Sequence, residues 1–387
     1  MPAAAPGDAV VAGTGRRRVA VVDALRGVAL VGVVVINGVG YAHLPDTLWV
    51  VPPPVPGEST SAWLTQVLLI GLLQGKAYPM LAFLFGVGIA LSMRSRRHAE
   101  LRGEQAMPHQ RRRLWKLLGL GVLHGAVLYS GDVLTIYALL GFWLLRWARL
   151  PARAVLRRLL WVMAVALVFA VLEAWALAAL AHDPLAWGVV PEGYSSVADW
   201  PGHASLSATG YLTALSGLPF VAPQLLALMT AGLLAGRLGV FSRARWQPML
   251  RRLARWALPL GLVANLAIAL VLVQPGASPM SSPGPWAAAL LVAGPLLSVG
   301  IAAWVATRSP AVLQPWARIG RWSLTVYLAS SLVFALQFSG AGLGWGTAAS
   351  SVSLAALSAG TCGLLMVLAL SLSRWRSSGP LERWLSR

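Results

Sequence analysis

Six ionisable residues stand inside stretches of this 387-residue chain that are otherwise apolar: Asp23, Arg26, Lys76, His124, Asp132 and Glu173. A charge at the centre of a bilayer costs about 2.5–3.5 kcal/mol on insertion scales, so each needs a partner or a task. His124 sits in Gly119-Leu120-Gly121-Val122-Leu123-His124-Gly125, and Asp132 follows eight residues later. A neutral imidazole beside a carboxylate is the arrangement of a general base, which takes the proton from an attacking hydroxyl or amine. The plainer reading is a histidine merely satisfied inside the protein. Asp23 and Arg26 stand three apart, on one helix face and within ion-pair reach. Asn37, 14 residues beyond Asp23, returns to that face close to four turns on. These three read either as a clamp holding the first helix or as part of a site. Lys76 can bind an anion or snorkel to an interface.

Other chemistries lack their signatures. No histidine pair has metal-ligand spacing: His43, His182 and His203 fall in polar linkers, and no metal is expected. There is no glycine-rich phosphate loop and no Gly-x-Ser-x-Gly elbow. The single cysteine, Cys362, lies in an apolar run and implies neither a disulfide nor a metal cluster.

The elements that must hold these residues follow from composition. Hydrophobic residues make up 57% of the chain and charged ones 11%, less than half of the roughly 25% that keeps a soluble surface wet. A soluble enzyme is excluded. Runs such as 155–181 are apolar on every side, which excludes a membrane β-barrel, whose strands alternate. The expected fold is an all-α polytopic membrane protein. Its spans fall near 19–42, 77–93, 114–131, 133–150, 155–181, 211–236, 257–274, 286–307, 319–338 and 346–373.

The net charge of +19 would suggest nucleic acid in a soluble protein. Its distribution points elsewhere. All 31 Lys and Arg except Arg26 and Lys76 fall on one side, in alternate linkers, the tails and the span ends beside them, while 43–60, 182–210, 275–285 and 339–345 contain none. The positive-inside rule then gives ten crossings with both termini cytoplasmic, and no nucleic-acid partner. Residues 61–75 read as a re-entrant or interfacial helix, because two crossings within 61–93 would put the arginine-rich linker 94–113 outside. Residues 1–15 read as a disordered tail. Helices of 16–150 carry the buried polar cluster and 151–387 form the other half of one continuous membrane domain. The first apolar run is too long for a cleaved signal peptide. Counting from Arg113 at the inner edge, His124 lies about 16 Å into the bilayer.

Four stretches together resemble the YeiB family of bacterial membrane proteins. They are Arg18-x4-Asp23-Ala-Leu-Arg26-Gly27 running to Asn37; Gly75-Lys76-Ala-Tyr78-x4-Phe83-Leu-Phe85-Gly86; Arg111-Arg112-Arg113-Leu114 with His124 and Gly131-Asp132-Val-Leu134-x2-Tyr137; and Gly320-Arg321-x3-Thr325-x-Tyr327-Leu328 with Gly379-Pro380-Leu381-Glu382. Ala77 and Val326 depart from the family pattern, which favours an aromatic residue and Asn there. The family looks like a branch of the transmembrane acyltransferases, such as the lysosomal heparan-α-glucosaminide N-acetyltransferase and the enzymes that O-acetylate bacterial polysaccharides. The resemblance implies acyl transfer from cytosolic acetyl-CoA, or another acyl-CoA, to a small-molecule or glycan acceptor beyond the membrane of a bacterial cell. In the polysaccharide branch a catalytic His follows the motif aspartate by 14 residues; that position is Asn37 here, which leaves His124 as the histidine at membrane depth.

On this reading His124, oriented by Asp132, is the base or the acyl carrier. Asp23, Arg26 and Asn37 hold the helix or polarise the thioester. Arg18, Arg94, Arg96, Arg97, Arg112 and Arg321 bind the CoA phosphates, and His43, Lys76 and Tyr78 meet the acceptor. The rival reading is a transporter or flippase for an anionic lipid or metabolite, and a third is an accessory subunit without catalysis. Membrane lipids surround the protein in each case, and a homodimer stays open.

Overall fold

The computed structural model describes residues 6–43, 59–100, 106–180, 193–273, 284–346 and 350–387, and among these every regular element is helical. In chain order the helices are α1 (Pro6–His43), α2 (Thr60–Leu68), α3 (Ala77–Glu100), α4 (Ala106–Val127), α5 (Leu134–Trp147), α6 (Ala152–Leu180), α7 (Trp200–Ser216), α8 (Leu218–Leu238), α9 (Gln247–Leu272), α10 (Gly284–Ala306), α11 (Pro310–Gly320), α12 (Ser323–Phe338), α13 (Ser351–Leu372) and α14 (Pro380–Ser386).

Helix α1 is the axis of the fold. It packs against α3, α11, α12 and α13, and 67% of its apolar window is buried. The corresponding figure for α6 is 11%, and Leu160, Trp161, Leu167, Val171 and Trp175 of α6 point outward. A helix apolar all round with an exposed apolar surface is stable against lipid, not water. Because α1 packs on α11–α13 and α3 on α8, the two halves of the chain interleave around one core.

Six described helical segments are long and apolar enough to cross a membrane, and α11 with α12 makes a seventh if that pair, bent by 56°, is one span. The ten crossings expected from the sequence additionally require α4, α5 and α10. Residues 61–73 are helical, α2 running into a π turn over Leu69–Leu73, and 74–76 form a turn. Together with α3 they form one interrupted 35-residue segment, Thr60–Arg94, that counts as a single candidate span. The interruption is at Gly75, whose φ of +77° is a left-handed conformation that glycine adopts without strain.

Two expected spans are broken. The run 211–236 is split at Gly217 between α7 and α8, where Pro219 has no N–H to extend α7. The run 319–338 bends between Gly320 and Ser323. In addition, α4 stops at Val127, so Asp132 lies in the connection to α5 and not on a span. The expected tail 1–15 is described only from Pro6, as the first turns of α1, and its side chains lie outside the described residues.

Candidate active site

The α4–α5 hairpin brings His124 and Asp132 together. His124 Nδ1 lies 2.9 Å from Asp132 Oδ1, with 2% and 5% of the two residues exposed. The second carboxylate oxygen, Oδ2, accepts the Thr135 N–H at 2.8 Å. It thereby satisfies one of the orphan donors at the start of α5. Thr135 is held in turn by Tyr211 of α7, whose hydroxyl donates to Thr135 Oγ1 at 2.8 Å. Gly121 makes this close approach feasible, since a Cβ there would sit 2.5 Å from the Thr135 nitrogen and 2.9 Å from Asp132 Oδ2.

The other imidazole nitrogen finds a partner that the sequence did not single out. His124 Nε2 lies 2.9 Å from Ser331 Oγ on α12, and Ser331 is fully buried. Asp132, His124 and Ser331 therefore form a carboxylate–imidazole–hydroxyl chain. An ionised Asp132 can only accept, so Nδ1 carries the imidazole proton and the lone pair is on Nε2. That lone pair accepts a hydrogen bond from the Ser331 hydroxyl. The alternative acceptor for the hydroxyl, the Tyr327 carbonyl in its own helix, is 3.4 Å away. Such a chain can withdraw a proton from the serine oxygen, the geometry by which hydroxyl nucleophiles are activated.

Beside this relay is a cavity of about 480 Å³, within the size range of small-molecule sites. It runs from the exposed Arg113 and Ser386 to the buried Tyr137 and Tyr327. Asp23, Arg26 and Arg321 also line it. Arg26 donates to Asp23 Oδ1 at 3.1 Å, as their spacing predicts. At its inner end the Tyr327 ring lies 5.1 Å from the His124 ring, centroid to centroid. Asn37 shares the α1 face of Leu30, a cavity residue, about two turns further on. Its buried amide nitrogen has no hydrogen-bond partner.

The layers repeat along two helices. On α12, Leu324 and Tyr327 line the cavity, Ser331 joins the relay, and Phe334 follows in an aromatic cluster. On α4 and its connection to α5, Arg113 and Leu117 line the cavity, His124 holds the relay and Tyr129 enters the same cluster. There Tyr41 stacks on Tyr129 at 4.7 Å and Tyr194 on His203 at 4.6 Å. His203, read from the sequence as a linker residue, is instead on α7 and buried. Burial holds its imidazole below the ordinary histidine range, partly offset by its hydrogen bond to Leu128. In the neutral form Nε2 donates to the Leu128 carbonyl at 3.1 Å and Nδ1 accepts from Ser339 Oγ at 3.0 Å.

The remaining expected site residues scatter. Among the described side chains of the CoA-binding set only Arg321 lines the cavity, joined by Arg26 and Arg113, which were not assigned that role. Arg112 and Arg94 are exposed outside it, and the side chains of Arg18, Arg96 and Arg97 lie outside the described residues. Arg112 and Arg113 differ by about 100° of helix rotation, which sequence phase alone did not resolve. Of the acceptor set, Lys76 is buried with Nζ donating to the Ile70 carbonyl at 2.5 Å. The Tyr78 hydroxyl donates to Gln224 at 3.3 Å, and the His43 side chain lies outside the described residues. Glu173 is half-buried on α6. Among the described residues no group of three or more His, Cys, Asp or Glu could hold a metal ion.

Fold and site define a multi-pass helical membrane protein with a buried carboxylate–imidazole–hydroxyl chain beside a cavity lined by Arg26, Arg113 and Arg321. Residues 235–387 match the family described as "Protein of unknown function (DUF418)". That part contains Ser331, Arg321 and Glu382, whereas His124 and Asp132 lie outside it. The chain is also similar to "Uncharacterized protein YxaH" of Bacillus subtilis (strain 168), 26% identical over 399 residues that cover 96% of this chain and 93% of the relative.

Proposed function

We propose that this protein is a transmembrane acyltransferase of the bacterial plasma membrane, with both termini in the cytoplasm, related to the YeiB-type proteins and through them to membrane acyltransferases. It moves an acyl group, acetyl by preference, from cytosolic acyl-CoA to a hydroxyl or amine acceptor on the far side. The observation that carries this reading is the cavity that joins Arg26, Arg113 and Arg321 to Tyr327, against which the His124 ring packs. Guanidinium groups bind phosphates through charge-assisted, often bidentate bonds. A CoA thioester has its polyanionic nucleotide at one end and its reactive carbonyl at the other, and this cavity is polarised in the same way.

His124, with Asp132 fixing its tautomer, takes the proton released as the thioester is attacked. The unpartnered Asn37 amide is the donor for the developing oxyanion, while Arg26, 11 residues away on α1 and so about 16 Å along its axis, stays with the phosphates. Asp23 holds Arg26 in place. The test is acetyl-CoA binding to the detergent-purified protein. Saturable binding that weakens in Arg321→Ala and survives in His124→Ala supports the reading. Absence of binding to acetyl-CoA and to longer acyl-CoAs removes it.

A transporter is favoured by one feature, the helices interrupted at Gly75 and between Gly320 and Ser323, since broken helices commonly frame transported substrates. Facilitated flux of an anionic lipid or metabolite into vesicles without CoA would decide for it.

A further inference from the structure

We propose that Ser331 carries the acyl group between donor and acceptor, so that the transfer runs through an acyl-serine buried in the membrane. This rests on the acyltransferase reading and deepens it. Three observations converge on the Ser331 oxygen. It lies 2.9 Å from His124 Nε2, the nitrogen with the lone pair once Asp132 holds the proton on Nδ1. It is one helical turn, about 6 Å, beyond Tyr327, which lines the cavity. Finally, its hydrogen bond occupies the Nε2 lone pair, so on the proposed path an incoming thioester meets the hydroxyl rather than the imidazole. Ser331 itself does not line the cavity, so the proposed path runs from Tyr327 to Ser331 by a rotation of the Tyr327 ring.

The two half-reactions balance without any further reactant. Ser331 Oγ bonds to the thioester carbonyl carbon while its proton passes to His124 Nε2. The carbon–sulfur bond then breaks, the sulfur takes the proton from Nε2, and CoA leaves as the free thiol. In the second half the acceptor hydroxyl or amine attacks the serine ester and gives its proton to Nε2. The carbon–Oγ bond breaks and Oγ recovers the proton. Ser331 is thus a catalytic residue that bonds to the transferred group, and His124 serves both halves as base and then acid.

The experiment uses the full chain in detergent with acetyl-CoA and no acceptor, and has two readouts. One is exchange of radiolabelled CoA into acetyl-CoA, which requires a reversible acyl-enzyme. The other is label from radiolabelled acetyl-CoA on the denatured protein, located by peptide mass spectrometry. Wild type is expected to exchange and to carry the label on the peptide containing Ser331. Ser331→Ala is expected to lose both to background while still binding acetyl-CoA, which also shows that it is folded. Ser331→Cys is expected to carry the label as a hydroxylamine-labile thioester. Labelling that persists in Ser331→Ala, on His124 or elsewhere, overturns the proposal. So does a wild type that binds acetyl-CoA but neither exchanges nor becomes labelled, an outcome that leaves direct transfer and the acyltransferase reading standing. A wild type that binds no acyl-CoA overturns both.

Discussion

Glu382 of α14 closes the first turn of α12: its Oε1 accepts the backbone N–H groups of Leu324 and Thr325 at 2.7 and 3.1 Å, and its Oε2 accepts the Thr325 hydroxyl at 2.6 Å. A carboxylate at this place satisfies orphan donors and complements the positive end of the helix. It gives the motif residues Thr325 and Glu382 one shared task although 57 positions separate them. Glu382→Ala is expected to destabilise the protein by about 1–2 kcal/mol, the usual worth of a helix cap. A lowered melting temperature in detergent, with Glu382→Gln intermediate, checks it.

Asp132→Asn keeps the shape of the side chain but removes the reason for the proton to stay on Nδ1. Acyl transfer and CoA exchange should fall by about 10²–10⁴-fold, the range of general-base effects. Acetyl-CoA affinity should stay as in wild type, because Asp132 does not line the cavity. Parallel binding and exchange assays separate the two.

Arg113→Ala and Arg321→Ala should each weaken acetyl-CoA binding by about tenfold or more, since a hydrogen bond to a charged group is worth ~1.5–3 kcal/mol. Binding to the wild type should weaken as ionic strength rises, because Arg113 is exposed at the mouth. Titration calorimetry at two salt concentrations reads both effects.

Gly121→Ala places a methyl group 2.5 Å from the Thr135 nitrogen. The expected cost is about 1–3 kcal/mol of stability, as for other overpacked sites, with a larger relative loss of exchange than of acetyl-CoA binding. Thermal unfolding alongside the exchange assay tests this.

Ser386 is exposed at the basic end of the cavity. With Cys362 replaced by Ala, Ser386→Cys should react with a membrane-impermeant maleimide only after the bacteria are opened. Labelling of intact cells would place that end outside and overturn the inward-facing cavity.

The ionisable residues were legible because each interrupts an apolar run, and His124 with Asp132 is the pair that spacing suggested. Asp23 with Arg26 was legible for the same reason. Ser331 was not. A serine in an apolar helix can bond the carbonyl four residues back, here that of Tyr327 at 3.4 Å, and so carries no local signal. Its partner is 207 positions away, a pairing that tertiary packing alone creates. The choice of Arg113 over Arg112 depended on helix phase, and the buried place of His203 depended on a helix beginning at Trp200 inside an apparent linker. Helix existence followed from apolar length; the breaks at Gly217 and near Arg321 did not, because hydropathy averages over them.

The aromatic cluster of Tyr41, Tyr129, Tyr194 and His203 bears on bioenergetics as much as on substrate access. A carboxylate and an imidazole at membrane depth, wetted from both faces, would form a wire for protons, each releasing about 2.3 kcal/mol per 100 mV as it crossed. The cavity ends at Tyr327, whose ring packs on His124, and the stacked rings lie on the other side of the relay. On the proposed reading an acceptor from the far side enters past these rings, and the same rings keep that passage too narrow to conduct protons between turnovers.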